Sequence, residues 1–294
     1  MKIALVTVSF CLPLFIFCSN YRQSDHSGEE KESNYAKRGK NPASHVRVLQ
    51  KWTLPSVLIE ISGITYLDAS RFACIQDELG VLFIYNTATG EVEKKVHFAG
   101  NGDYEGIAIA GTAAYIIRSD GKLFEVADYM SAKPAVTSFQ THLNARNDVE
   151  GLCYDERNNR LLVAIKGKDA NSNDYKGIYA FDLTSKKMPQ EPVYKINLDD
   201  PVFEGAKGKN KATVIQPSEI QVHPLTNEIY ILEGTNPKLL ILDENGKAKK
   251  LYAMQKKDFP QAEGLTFSPN GELYISNEGR IGGATIVKAE LSSN

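Results

Sequence analysis

A five-residue pattern that recurs five times constrains this chain more than any other feature. It reads small or acidic residue, Gly or Glu, aliphatic, any residue, then aromatic or aliphatic. The copies are Ser62-Gly63-Ile64-Thr65-Tyr66, Glu105-Gly106-Ile107-Ala108-Ile109, Glu150-Gly151-Leu152-Cys153-Tyr154, Ser218-Glu219-Ile220-Gln221-Val222 and Glu263-Gly264-Leu265-Thr266-Phe267. They start 43, 45, 68 and 45 residues apart. Periods of about 40–50 residues belong to four-stranded propeller blades, and the long interval needs only one insertion of about twenty residues.

Each copy is followed by the same succession. A second apolar run comes next, as in Phe72-Ala73-Cys74-Ile75 and Ile229-Tyr230-Ile231-Leu232. After a polar turn a third follows, as in Val81-Leu82-Phe83-Ile84-Tyr85 and Lys238-Leu239-Leu240-Ile241-Leu242. Asn245-Gly246 and Asn270-Gly271 are strong hairpin dipeptides between such runs. Weaker fourth runs lie near residues 92–98, 135–143, 193–198 and 248–254, and the fifth repeat has none. The strand-like segment 46–52, Val-Arg-Val-Leu-Gln-Lys-Trp, has no blade of its own. Joined to the last repeat it would close the ring and remove two sheet edges. The expected fold is all-β, a five-bladed β-propeller of four-stranded blades over residues 46–294, closed by its N-terminal strand.

Upstream of it the chain changes character. Lys2 precedes an apolar run that ends Phe15-Ile16-Phe17-Cys18. It is shorter than the roughly 20 residues a spanning helix needs, and it has the layout of a secretory signal. The cysteine at its end gives it a bacterial lipoprotein character, so residues 1–18 are read as signal and Cys18 as the lipidated residue. Residues 19–45 contain no Val, Ile, Leu, Met or Phe. Such a segment cannot offset its chain entropy by burial and is expected to be a flexible tether. The protein is therefore expected in the bacterial cell envelope, anchored to a membrane through lipid.

Composition narrows the function. The formal net charge is −2 over 294 residues, which removes the broad electrostatic attraction that non-specific nucleic-acid binding requires, and no nucleic-acid partner is expected. Beyond the signal only Cys74 and Cys153 remain, each in an apolar run, as small buried hydrophobes. No G-x-S-x-G, H-E-x-x-H or P-loop occurs. His97 and His142 fall in outer strands and His223 below the channel mouth, which gives no support to a histidine base there, and no catalytic residue is assigned.

Blade geometry brings the start of each repeat and the end of each second strand to one face. Ser62, Glu105, Glu150, Ser218 and Glu263 would meet Asp77, Arg118, Lys166, Glu233 and Asn277 at one channel mouth. Clustered carboxylates raise one another's pKa unless compensated. Either a hard cation such as calcium is bound by oxygen ligands, or Arg118 and Lys166 neutralise Glu105 and Glu150 as a static ring. Two long loops border this face. One holds Asp169-Ala170-Asn171-Ser172-Asn173-Asp174, and the other the basic Gly205-Ala206-Lys207-Gly208-Lys209-Asn210-Lys211. The basic loop would suit a small anionic ligand.

The runs Glu60-Ile61-Ser62-Gly63-Ile64, Asp103-Tyr104-Glu105-Gly106-Ile107, Asp148-Val149-Glu150-Gly151-Leu152 and Ala262-Glu263-Gly264-Leu265, with Asp77-Glu78, resemble those of the SdiA-regulated family. That family includes calcium-regulated β-propeller proteins and is distantly similar to NHL-repeat propellers and esterase-like phytases. The resemblance spans residues 49–290 and departs at Ser218-Glu219, which puts a contribution from the fourth repeat in doubt. It implies a calcium site, and the carboxylates recurring at equivalent repeat positions, Glu105, Glu150 and Glu263, are read as its metal ligands. Asp77, Arg118, Lys166, Glu233 and Asn277 would be ligand-binding neighbours. The expected function is a monomeric, envelope-tethered, calcium-binding module in calcium or envelope homeostasis, with a protein or small anionic partner at the top face. The alternative is a metal-dependent hydrolase of phosphate or carboxyl esters.

Overall fold

Burial along the strands shows how each one is packed. In the second and third strands of a blade the apolar run is nearly continuous, as in Phe72–Ile75 and Leu239–Leu242, because both faces meet a neighbouring blade. The outermost strand alternates instead, Glu91–His97 showing every second side chain to solvent along most of its length. The computed structural model describes residues 46–169, 172–206, 211–279 and 282–292, within the compact unit Pro42–Asn294. The signal ending at Cys18 and the tether 19–45 lie outside the described residues. So do residues 170–171 and 207–210 of the two long loops.

Among the described residues, twenty strands form five four-stranded antiparallel sheets. The chain begins with β1 (Val46–Thr53) and then makes blade 1 from β2 (Ile61–Tyr66), β3 (Arg71–Gln76), β4 (Val81–Asn86) and β5 (Glu91–His97). Blade 2 is β6 (Tyr104–Ala110), β7 (Ala113–Arg118), β8 (Lys122–Ala127) and β9 (Ala135–Gln140). Blade 3 is β10 (Val149–Asp155), β11 (Arg160–Ile165), β12 (Tyr175–Asp182) and β13 (Tyr194–Asn197). Blade 4 is β14 (Glu219–Val222), β15 (Ile229–Glu233), β16 (Lys238–Leu242) and β17 (Ala248–Ala253). Blade 5 is β18 (Ala262–Phe267), β19 (Leu273–Asn277) and β20 (Thr285–Leu291), completed on its outer side by β1. The expected five-bladed propeller with N-terminal closure is the observed fold. His142 is a small departure, since it lies just beyond β9 rather than in it.

Among the described residues there is no single central core. Five apolar clusters sit one at each seam between adjacent blades, for example Leu162 and Ile178 of blade 3 against Ile220 and Ile231 of blade 4. Cys74 and Cys153 are free thiols buried in two of these clusters, and burial pushes both pKa values up.

The repeat motif marks a bulge where blades approach most closely. Pairing of the first two strands slips at Ile61/Gly63, Tyr104/Gly106, Val149/Leu152 and Ala262/Leu265. A Cβ on Gly106 would lie 2.7 Å from Glu150 O, and one on Gly264 would lie 2.9 Å from Ile64 N. The glycine is therefore set by contact with the next blade's backbone. In the fourth repeat, where Glu219 replaces it, β14 pairs with β15 without a slip.

Candidate functional site

The strand register brings the expected positions to one end of the channel. Tyr104 pairs with Arg118, Val149 with Ile165 and Ala262 with Asn277, so motif starts and second-strand ends share an edge. All but Asp77 and Asn277 then divide into three groups by what their side chains touch.

The first group closes seams. Ser62 Oγ donates to Tyr104 O at 2.7 Å and Ser218 Oγ to Ala262 O at 3.0 Å, each reaching the next blade. The second group is held within its own blade. Arg118 grips Asp120 through two bonds, Nε to Oδ1 at 2.9 Å and Nη2 to Oδ2 at 2.6 Å. It is thus committed away from Glu105, the partner a static ring would have given it. Glu233 is fully buried, pairs with Lys238 at 2.8 Å and accepts from Gln216 N at 2.9 Å. Lys238 also donates to Val214 O, which fastens the insertion before β14.

The third group carries the charge. Glu105, Glu150 and Glu263 occupy the same position in three repeats, and Lys166 reaches Glu150 Oε1 at 2.9 Å. Lys176 secures the turn after β11, where Lys166 sits, by donating to the carbonyls of Lys166 and Gly167. Burial, then Glu150 and Asp103, push the Glu105 carboxyl well above the usual range. Glu150, only 4% exposed, is raised by burial despite the opposing pull of Lys166. Glu263 rises to about 7, again mainly through burial, with Lys166 opposing and Glu278 adding. Burial works against the Lys166 ammonium, but Glu150, Glu263 and Asp148 outweigh it and hold its pKa above the ordinary value. Three carboxylates thus share one lysine, which is the charge imbalance the sequence suggested.

A fourth acid joins them. Glu219 Oε1 accepts from Leu152 N at 2.8 Å and Ile220 N at 2.9 Å, bridging blades 3 and 4. Its other oxygen, Oε2, is buried without a hydrogen-bond partner. Burial raises its pKa strongly, with Glu150 and Glu263 adding. Sequence reasoning doubted this blade because it breaks the motif, yet an acid in place of a glycine was the signal available. Asp77 Oδ1 and Asn277 Oδ1 are likewise buried and unpartnered. Burial and the neighbouring Glu60 and Glu278 push Asp77 up to about 6.

These are oxygens of the hard kind that calcium takes, so the donor chemistry fits the ion the resemblance implies. In the present arrangement, no three His, Cys, Asp or Glu side chains among the described residues are grouped as an ion's ligands. In the basic loop, Lys211 bridges Asp174 (2.7 Å) and Asp199, tying the two long loops together.

The raised carboxyls set a pH dependence. A group whose folded pKa is raised stabilises fully below its unfolded pKa, and that contribution is lost as pH rises through the folded value. For Glu263 the window runs from the ordinary glutamate value to about 7. His142 and His223, lowered by burial, act in the opposite sense, so a difference measurement isolates the acid. In chelator, Glu263→Gln should gain stability relative to the parent protein between pH 5 and pH 8. Urea midpoints of both proteins at the two pH values check this, and parallel pH profiles would refute it.

Five four-stranded blades around a channel charged at one end define a small five-bladed β-propeller protein. Residues 39–281 match the SdiA-regulated family model, and the chain belongs to that family. Among solved structures it is similar to glutaminyl cyclase from Myxococcus xanthus, at 13% identity and TM-score 0.57, covering 84% of this chain and 96% of that one. It is also similar to virginiamycin B lyase from Staphylococcus aureus, at 12% identity and TM-score 0.45, covering 82% of this chain and 73% of that one. At these identities the first likeness speaks to the fold alone.

Proposed function

We propose that this protein is an envelope-tethered propeller that binds calcium at the charged end of its channel and acts as a binding module rather than an enzyme. The observation that carries the reading is the excess of buried carboxylate over cation around Lys166. Glu105, Glu150 and Glu263 would be drawn on as ligands, with Asp77, Glu219 and Asn277 offering further oxygens. A bound divalent cation would supply the positive charge that Lys166 alone does not. Ester hydrolysis has less support, because His97 and His142 lie in or just beyond outer strands, His223 lies at the far end of its inner strand, and Arg118 is committed to Asp120.

An ion that binds only the folded state stabilises it by RT ln(1+[L]/Kd), about 2.7 kcal/mol at a hundredfold excess over Kd. The melting temperature should rise with calcium, fall with chelator, and lose this response in Glu150→Gln. If Lys166 and Glu150 are instead a sufficient static pair, calcium will have no effect. Lys166→Ala would then cost roughly 3 kcal/mol by stranding a buried carboxylate. Calorimetry on both variants, with and without calcium, separates the two. The anchoring half of the proposal rests on Cys18. Cys18→Ala should move the protein out of the membrane fraction, and unchanged fractionation would remove the lipid anchor from the reading.

A further inference from the structure

The C-terminal ends of all five inner strands, opposite the carboxylates, line an open cavity of about 480 Å³. That lies within the range of small-molecule sites, roughly 300–1,000 Å³. Three features of its wall define what it would accept.

The first is aromatic. Tyr66, Tyr154 and Phe267 line it while partly exposed. Phe267 is held edge-on by His223 (4.7 Å, 62°) and Tyr230 (5.0 Å, 82°), and Tyr66 by Phe72 (5.7 Å, 88°). These rings are fixed by packing before any ligand arrives, which lowers the ordering cost of binding.

The second feature is that the positive charge at the wall is already paired. Asp155 is paired with Arg160 at 2.7 Å, and Arg157 with Glu244 at 3.1 Å. His223 Nδ1 accepts from the backbone N–H groups of Leu225 (3.3 Å) and Thr226 (3.2 Å), which leaves the proton on Nε2. Burial also lowers its pKa and keeps the ring neutral. No uncommitted cation among the described lining residues awaits an anion, and the Glu156 carboxylate at the wall would repel one.

The third feature is hydrogen-bonding capacity. Gln221 Oε1 is taken by Val222 N at 3.1 Å, so its NH₂ group is the donor left to the cavity. Imidazole N–H and hydroxyls add to it. A wholly apolar occupant would leave these groups unpaired.

We propose that this second mouth binds a neutral saccharide unit. Its C–H face would lie on the aromatic rings, whose faces are electron-rich, and its hydroxyl edge would meet Gln221 and the His223 N–H. The site is independent of the carboxylate end and does not rest on the calcium reading.

Titration calorimetry on the full chain with glucose, galactose, N-acetylglucosamine and their disaccharides, with glucuronate as anionic control, tests it. At least one neutral sugar should bind saturably in the millimolar range or tighter. Tyr154→Ala and Gln221→Leu should each weaken it about tenfold, as expected for a ligand-contacting group, with the melting temperature unchanged. If Tyr154→Ala loosens the fold, Gln221→Leu alone decides. Glu150→Gln should leave sugar binding intact, which separates this result from that for calcium. No saturable binding of any neutral sugar, binding indifferent to both variants, or preference for glucuronate overturns the proposal.

Discussion

Deleting residues 1–55 should leave a chain that does not hold the propeller fold, whereas deleting residues 1–42 should leave stability nearly unchanged. β1 pairs with β20 at seven positions, from Val46 opposite Leu291 to Thr53 opposite Thr285. Val46 is 2% exposed within the cluster between blades 4 and 5, Trp52 packs 6.3 Å from Tyr274, and Leu54 N donates to Ala284 O. Removing all of this uncovers the full length of β20 as a free edge. The loss, on the order of 5 kcal/mol or more from burial and pairing together, is comparable with the whole stability of an ordinary domain. Circular dichroism melts and size-exclusion profiles of the two truncations check the result. Two similar melts would mean that β1 is dispensable for closure.

The second large effect lies at the seams. A Cβ on Gly151 would stand 2.7 Å from Ile220 N and 2.9 Å from Glu219 C. These are backbone atoms of the next blade, and no rotamer change moves them aside. Gly151→Val should therefore cost roughly 3 kcal/mol or more, the range of severe overpacking. Gly100 is the control, because a Cβ there meets nothing within 4 Å and its backbone is not left-handed. Gly100→Ala should change stability by less than about 0.5 kcal/mol. Urea unfolding of both variants makes the comparison, and equal losses would show that the seam yields more easily than its spacing implies.

The fold was legible because each blade repeats the same apolar succession, and because segment 46–52 was a strand without a sheet. Boundaries fell within a few residues, since turns such as Asn245-Gly246 punctuate them. The reason for the motif glycine was not legible. Its contact is with a backbone more than forty residues away, and no local pattern records a Cβ that would collide there. The site was legible as a set of positions and in its Lys166–Glu150 pair, but not in its other partners. Arg118 has an acid two residues on, at Asp120, and takes it rather than Glu105. Glu233 likewise finds Lys238 five residues away. Ser62 and Ser218 share a repeat position with three glutamates, yet their short hydroxyls reach only the neighbouring carbonyl. Glu219 was legible only as a break in the pattern. Its burial depends on β10 and β14 lying side by side. The cavity at the far mouth had no signal at all, because it is built from the last residues of five strands that the sequence keeps well apart.

The pairing of β1 with β20 also orders events in time. During synthesis β1 is the first of the described strands to appear, yet its partner follows only after all five inner strands have been made. Until then both flanks of the growing sheet array are open, and long-range closure of this kind is slow. A chain interrupted at any point before Thr285 lacks the partner that shields its first strand. Such a product would carry an unpaired edge from its first folded moment, a mark by which quality control could distinguish an unfinished molecule from a finished one.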